Sequence, residues 1–123
     1  MNPVIHIELP VADLDRAIAF YAAVLRRPIG EPFALHDSLV AELDFNEDGR
    51  GASMALVQGP EYCPGREGAR VYFHVDDIHA VLARALQHGG AEAFPVTAAG
   101  TRWWVAEFID SEGNQVALQA MRT

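Results

Sequence analysis

The stretch His6-Ile7-Glu8-Leu9-Pro10-Val11-Ala12-Asp13-Leu14-Asp15-Arg16-Ala17-Ile18-Ala19-Phe20-Tyr21 carries the fold in miniature. Apolar and polar residues alternate from Val4 to Leu9, with Ile5, Ile7 and Leu9 on one face and His6 and Glu8 on the other, the pattern of a half-buried strand. Asp13 then offers a side-chain cap, and Leu14, Ala17, Ile18, Tyr21, Ala22 and Leu25 recur at helical spacing until Pro28 and Gly30. Three strand-like stretches follow, Pro32 to His36, Leu39 to Phe45 and Ala52 to Gln58, with a turn over Glu47 to Gly51. The order is βαβββ.

The order then repeats. Val11-Ala12-Asp13-Leu14 falls on Val75-Asp76-Asp77-Ile78 under a shift of 64 positions, from Asp13 to Asp77. Val71 to Val75 reads as a strand, Asp76 or Asp77 as the cap of a helix through Ile78, Val81, Leu82, Ala85 and Leu86, and Gly89-Gly90 as its end. Strands are expected near Glu92 to Thr97, Arg102 to Ile109 and Gln115 to Ala120, with a hairpin turn over Asp110 to Asn114. The stretch between the halves, Gly59 to Ala69, is rich in Gly and Pro and reads as a connection with little structure of its own.

Under the same shift Ile7 and Leu9 meet Val71 and Phe73, while His6, Glu8 and Pro10 meet Arg70, Tyr72 and His74. A strand face bearing His, Glu, Arg, Tyr and His is either a plain solvated face or the wall of a wet cleft. Trp103 and Trp104 are adjacent on one strand and must point to opposite faces. Ala106 and Phe108 share the parity of Trp104 and read as core, which assigns Trp103 to the polar face with Val105 and Glu107.

Composition narrows the function. The chain has 123 residues, half of them hydrophobic, and a formal charge of −8. That length suits one domain that folds without a metal or disulfide. All nine basic residues are Arg. Without Lys there is no Schiff-base chemistry, pyridoxal-phosphate anchor or phosphate-loop lysine. The Arg residues form no basic stripe, so nucleic acid is not an expected partner, and a neutral or cationic small ligand suits the charge better. The single cysteine, Cys63, cannot form an internal disulfide, and MNPVIHIELP lacks the pattern of a targeting segment, so a cytoplasmic protein that does not enter membranes is expected.

The whole chain resembles the vicinal oxygen chelate superfamily of glyoxalases, bleomycin-resistance proteins and extradiol dioxygenases. The resemblance rests on His6 to Tyr21, on Val75 to Ile78 with Gly89-Gly90, and on Phe108-Ile109-Asp110-Ser111-Glu112-Gly113-Asn114. It implies a single α+β domain over 1–123: two tandem βαβββ modules, 1–58 and 70–123, joined by a linker over 59–69. The modules would form a cupped mixed sheet with helices on the outside, frequently in a homodimer, with the site inside the cup. In metal-dependent members one ligand comes from the first and one from the last strand of each module. Here those positions carry His6, Ala55, Arg70 and Ala117, so the usual metal site is not expected and no cofactor is implied. An alternative set of His6, Glu8 and His74 has to bring strand neighbours roughly 7 Å apart onto one point.

The expected function is therefore binding of a small organic molecule by His6, Glu8, Arg70, Tyr72, His74, Trp103 and Gln119. Two rivals stay open: a metal-dependent glyoxalase-like lyase or dioxygenase, and a metal-independent enzyme with His6 or Glu8 as catalytic base. His6 reads equally as a hydrogen-bonded wall residue. Arg70 suits an anionic ligand group or an internal pair with Glu8 or Glu107. Tyr72 and Trp103 offer flat walls for a ligand to stack on, or simply core. His36, His79 and His88 read as solvated, and Cys63 as incidental.

Overall fold

The computed structural model describes residues 1–44 and 50–123, in two compact units, Met1–Pro64 and Gly65–Thr123. In the first unit, β1 (His6–Pro10) leads into α1 (Leu14–Leu25), then β2 (Phe33–Leu35), β3 (Ser38–Leu43) and β4 (Ser53–Gln58). The second repeats the order with β5 (Tyr72–His74), α2 (Ile78–Gln87), β6 (Ala91–Ala99), β7 (Trp103–Ile109) and β8 (Gln115–Met121). Each unit is a four-stranded mixed sheet, ordered β1-β4-β3-β2 and β5-β8-β7-β6, in which the first strand pairs parallel with the last. This is the α+β arrangement of two tandem βαβββ modules.

The register makes the duplication concrete. Glu8 lies opposite Ala55 and Tyr72 opposite Ala117, so residues 64 apart in the sequence hold equivalent places beside equivalent alanines. Helix α1 packs on the side of Leu9, Ala41, Leu43, Met54 and Leu56, all buried, and α2 on that of Phe73, Ala106, Phe108, Val116 and Leu118. The other side of each sheet carries the alternate residues.

Both helices start where expected. The Asp13 carboxylate accepts from Arg16 N–H and the Asp77 carboxylate from Ala80 N–H, each at 3.1 Å. Their ends and faces differ in detail. Helix α1 stops at Arg26, which adopts the left-handed conformation (φ 54°), two residues before Pro28. Its buried stripe is Leu14, Ala17, Phe20, Tyr21 and Val24, and Ala22 is exposed. The large rings of Phe20 and Tyr21, edge to face at 5.1 Å, turn the helix toward themselves and away from the small Ala22. Helix α2 buries Ile78, Val81, Leu82 and Ala85 but leaves Leu86 exposed.

Strand β2 is shorter and β6 longer than the sequence pattern indicates, the latter because register shifts near Glu92, Phe94 and Thr97 let it bend and continue. Phe45 and most of the turn expected over Glu47 to Gly51 lie outside the described residues.

The stretch 59–69 contains no helix or strand, and specific contacts hold parts of it in place. Gly59 to Tyr62 form a turn closed by Tyr62 N–H donating to the Gly59 carbonyl at 3.1 Å, and the Tyr62 ring packs against Val40, Ala55 and Val57. Gly65 N–H donates to Asn114 Oδ1 and Arg66 Nε to Gln115 Oε1, which ties the later part of the stretch to the second unit. Low complexity in composition did not preclude order, because an aromatic ring and a few side-chain acceptors supply what the glycines and prolines lack.

Candidate functional site

The helix-free face of each sheet holds the polar residues picked out by alternation. In the first unit these are His6 and Glu8 on β1. His6 Nδ1 lies 2.6 Å from Ser53 Oγ on the facing strand, and the Ser53 hydroxyl is 3.3 Å from the Ile5 carbonyl. With that hydroxyl donating to Ile5, Nδ1–H donates to Ser53 and Nε2 carries the lone pair. Glu8 is held separately: Tyr62 Oη donates to its Oε1 at 2.7 Å. That bond, more than burial, raises the phenol above its ordinary value of 10.0, with the negative charges of Glu8 and Glu61 adding to the effect. Ser53 orients His6, and Glu8 is oriented by a residue from the connecting stretch.

In the second unit the register lays out two rows. Tyr72, Ala117 and Glu107 sit side by side across β5, β8 and β7, and so do His74, Gln119 and Val105. Tyr72 is 50% exposed, and Phe94 and Met121 on the same face are each 56% exposed. The rings of His74 and Trp103 meet edge to face with centroids 6.3 Å apart. The Arg102 guanidinium lies 5.5 Å from the Trp103 ring, while Trp104, on the other side of β7, is covered by Arg122 at 4.6 Å. Trp103 therefore belongs to the face of His74 and Gln119.

Arg70 is engaged internally. Its Nε is 2.9 Å from Glu107 Oε1, the same oxygen that accepts from Gln115 Nε2 at 2.9 Å, and its Nη1 donates to the Arg66 and Gln115 carbonyls. Of the two partners considered, Glu107 is the one it pairs with.

The predicted residues thus fall into two groups: His6 and Glu8 on the first unit, and Arg70, Tyr72, His74, Trp103 and Gln119 on the second. Sequence reasoning missed Tyr62, Ser53 and Gln115. A tyrosine within a Gly- and Pro-rich stretch was the available signal for Tyr62, since so large a ring gains by covering apolar surface. Ser53 and Gln115 have no signal outside the register.

The residues at the family's ligand positions do not fit a divalent ion. Ala55 and Ala117 have no donor atom, Arg70 is a cation already paired with Glu107, and His6 alone has a ligating group. Among the described residues no three His, Cys, Asp or Glu side chains form a group suited to a metal.

Paired βαβββ modules with polar helix-free faces define the class of protein, and comparison supplies the family. The model of the glyoxalase-like domain matches residues 5–119, and the chain belongs to that family. No curated protein matches. Among solved structures, a glyoxalase/bleomycin resistance protein/dioxygenase domain from Frankia sp. EAN1pec is 18% identical with a TM-score of 0.78, the match covering 99% of this chain and 93% of that one. TnmS3, an antibiotic binding protein from Streptomyces sp. CB03234, is 22% identical with a TM-score of 0.75 over 99% and 98% of the two chains. Glyoxalase I from Zea mays is 22% identical with a TM-score of 0.69, covering 94% of this chain but 44% of the maize one. At these identities the likeness is one of fold.

Proposed function

We propose that residues 1–123 act as one domain that binds a small organic molecule on its helix-free sheet faces, without a bound metal. The observation that carries this reading is the surface of the second unit. His74 lies beside Gln119 there, with Tyr72 and Trp103 at neighbouring positions of the same face, so that flat rings stand near a side chain able to donate and accept. Exposed aromatic and apolar residues on a sheet face lose unfavourable contact with water when a ligand covers them. The antibiotic binding described for TnmS3, on the same fold, supports a ligand of drug-like size. A charge of −8 favours a neutral or cationic one. In this reading Arg70 holds Glu107 and the rim of the sheet, and the ligand meets its neighbours.

Fluorescence titration of the full chain against a panel of small organic antibiotics tests the proposal. Saturable quenching, lost in Trp103→Phe, is the expected result, with Tyr72→Ala weakening affinity about tenfold, or about 1.4 kcal/mol. A panel that never saturates, or quenching that survives the Trp103 change, counts against it. Homodimerisation and a cytoplasmic location belong to the same reading. The edge strands β2 and β6 motivate the dimer, and a monomer mass by light scattering at micromolar concentration removes it.

One observation favours a second reading, in which the chain is a metal-independent enzyme. The 2.6 Å contact with Ser53 Oγ orients the His6 ring, and in the tautomer with the proton on Nδ1 it leaves Nε2 as acceptor, which suits a general base. His6→Ala that retains both fold and ligand affinity but loses turnover would establish this role.

A further inference from the structure

The surface of the first unit is indented at the end where β1 and β4 finish. A cavity of about 620 Å³ opens there, walled by Val11, Leu39, Pro60 and Pro64, with Asp37, Gln58 and Cys63 as its polar points. It is remote from His6 and Ser53, which stand at the start of the same two parallel strands. Five residues of strand separate His6 from Val11, about 17 Å at the usual rise.

The walls are built by specific contacts. A Cβ at Gly59 would lie 2.1 Å from Ser38 Oγ and 2.9 Å from Ser38 Cβ, so glycine alone lets the chain leave β4 this close to β3. Pro60 fills the second position of the turn that follows, and Tyr62 pins its far side through Glu8 and through Val40, Ala55 and Val57. Gln58 Oε1 accepts from Leu14 N–H at 2.7 Å, so what Gln58 offers the cavity is its amide NH2.

Charge selects the occupant. Among the described residues that line the cavity, Asp37 alone carries a formal charge, an exposed carboxylate beside apolar walls. Leu39 is 44% exposed, unusual for a strand leucine. A cation with a hydrocarbon body satisfies both features: its charge meets Asp37 and its body removes Leu39, Pro60 and Pro64 from water. An anion of the same shape is repelled by Asp37 and by the acidic chain as a whole.

We propose that this cavity is a second binding site, separate from the sheet faces, which takes a small organic ammonium ion with its amino group on Asp37 and its hydrocarbon body against Leu39, Pro60 and Pro64. The volume falls within the usual range for small-molecule sites, about 300 to 1,000 Å³.

Cys63 provides the readout, because it is the single cysteine, is exposed and lines the cavity. The rate of its alkylation by iodoacetamide is measured on the full chain with cyclohexylammonium chloride and, at matched ionic strength, with sodium cyclohexanecarboxylate. The ammonium ion is expected to protect saturably, slowing alkylation about tenfold at ten times its dissociation constant, since only the empty site reacts. The carboxylate is expected to leave the rate unchanged. Asp37→Asn should abolish protection and Asp37→Glu restore most of it, with tryptophan fluorescence constant throughout. Equal protection by the carboxylate, no saturable protection, or full protection in a folded Asp37→Asn variant overturns the site. Protection that tracks tryptophan quenching also overturns it, by assigning the ammonium ion to the sheet face. Should Asp37→Asn fail to fold, the comparison of the two ions on the unaltered chain decides alone.

Discussion

The Tyr62 hydroxyl bonded to Glu8 gives the protein a pH-dependent contact whose sign follows from the direction of the shift. The phenol is raised above 10.0, first by donating to Glu8 and then by burial and the nearby carboxylates. Folding therefore favours its neutral form. The stabilisation is fully present below the phenol's unfolded value and is lost as pH rises through the raised folded one. Tyr62→Phe, which keeps the ring on Val40, Ala55 and Val57 but removes the donor, should unfold at lower urea than the unaltered chain at pH 7. The two midpoints should converge as the solution becomes alkaline enough to ionise Tyr62. A gap that widens with pH contradicts the assignment. At this scale the sequence was half legible. Alternation placed His6, Glu8, Tyr72, His74 and Trp103 on helix-free faces, because side-chain direction on a strand depends only on parity. It did not tell which charges meet, since Arg70 has carboxylates within plausible reach on more than one strand and tertiary register alone selects Glu107. Tyr62 was illegible for a related reason: its partners lie up to 54 positions away in the chain.

Helix ends and hairpins are written in short local patterns, and here the sequence was read most fully. Helix α2 ends in a Schellman arrangement. Gly89 sits at φ 102° after the cap residue His88, and Gly90 N–H donates to the Ala85 carbonyl at 2.8 Å. Gly89→Ala forces a Cβ into the left-handed region and is expected to cost about 1 kcal/mol, measurable as a lower urea midpoint with an unchanged slope. Gly90→Ala should cost more, because its Cβ would meet the Ile109 carbonyl oxygen at 2.7 Å and that of Ala85 at 2.8 Å, both backbone atoms with little freedom to withdraw. The turn between β7 and β8 depends on a side chain. Asp110, 4% exposed, accepts from the backbone N–H of Glu112 and Asn114 at 2.8 and 2.9 Å. Asp110→Ala leaves those donors without that acceptor and is expected to lower stability by roughly 2 to 4 kcal/mol, read by urea unfolding. Asp110→Asn, which retains one acceptor oxygen, should lose less. The misread elements are those that local pattern does not govern. The α1 stripe follows Phe20 and Val24, whose fit against the sheet outweighs the alanine that helical spacing alone would have buried, and β6 runs on through bends that no period-2 pattern anticipates.

For the molecule as a whole, the two units share one architecture, and the residues placed on it set the chemistry available. The equivalent pairs Glu8 with Ala55 and Tyr72 with Ala117 show the framework of a two-module protein, and alanine stands at both last-strand positions where the resemblance implies metal ligands. Arg70 stands where the second module would supply its first-strand donor, and its charge is satisfied by Glu107 at 2.9 Å. Freeing Glu107 for a metal would break that pair and leave Arg70 to repel the ion, while the Glu8 carboxylate already accepts from Tyr62. A catalytic site ordinarily takes at least three protein donors. Full-length, tag-free protein purified without chelator and then incubated with nickel, zinc, iron(II) or manganese should consequently hold well under one equivalent of metal after desalting, and its melting temperature should not rise. The thermal arm is decisive because a real site cannot stay silent. At 100 times its dissociation constant a bound ion adds about 2.7 kcal/mol, which for a chain of this size raises the midpoint by roughly 10 °C. One equivalent of retained metal together with such a rise would return the chain to the lyase or dioxygenase reading. His6 would then be its surviving ligand, and further donors would have to be recruited by movement of the Tyr62 and Arg70 networks.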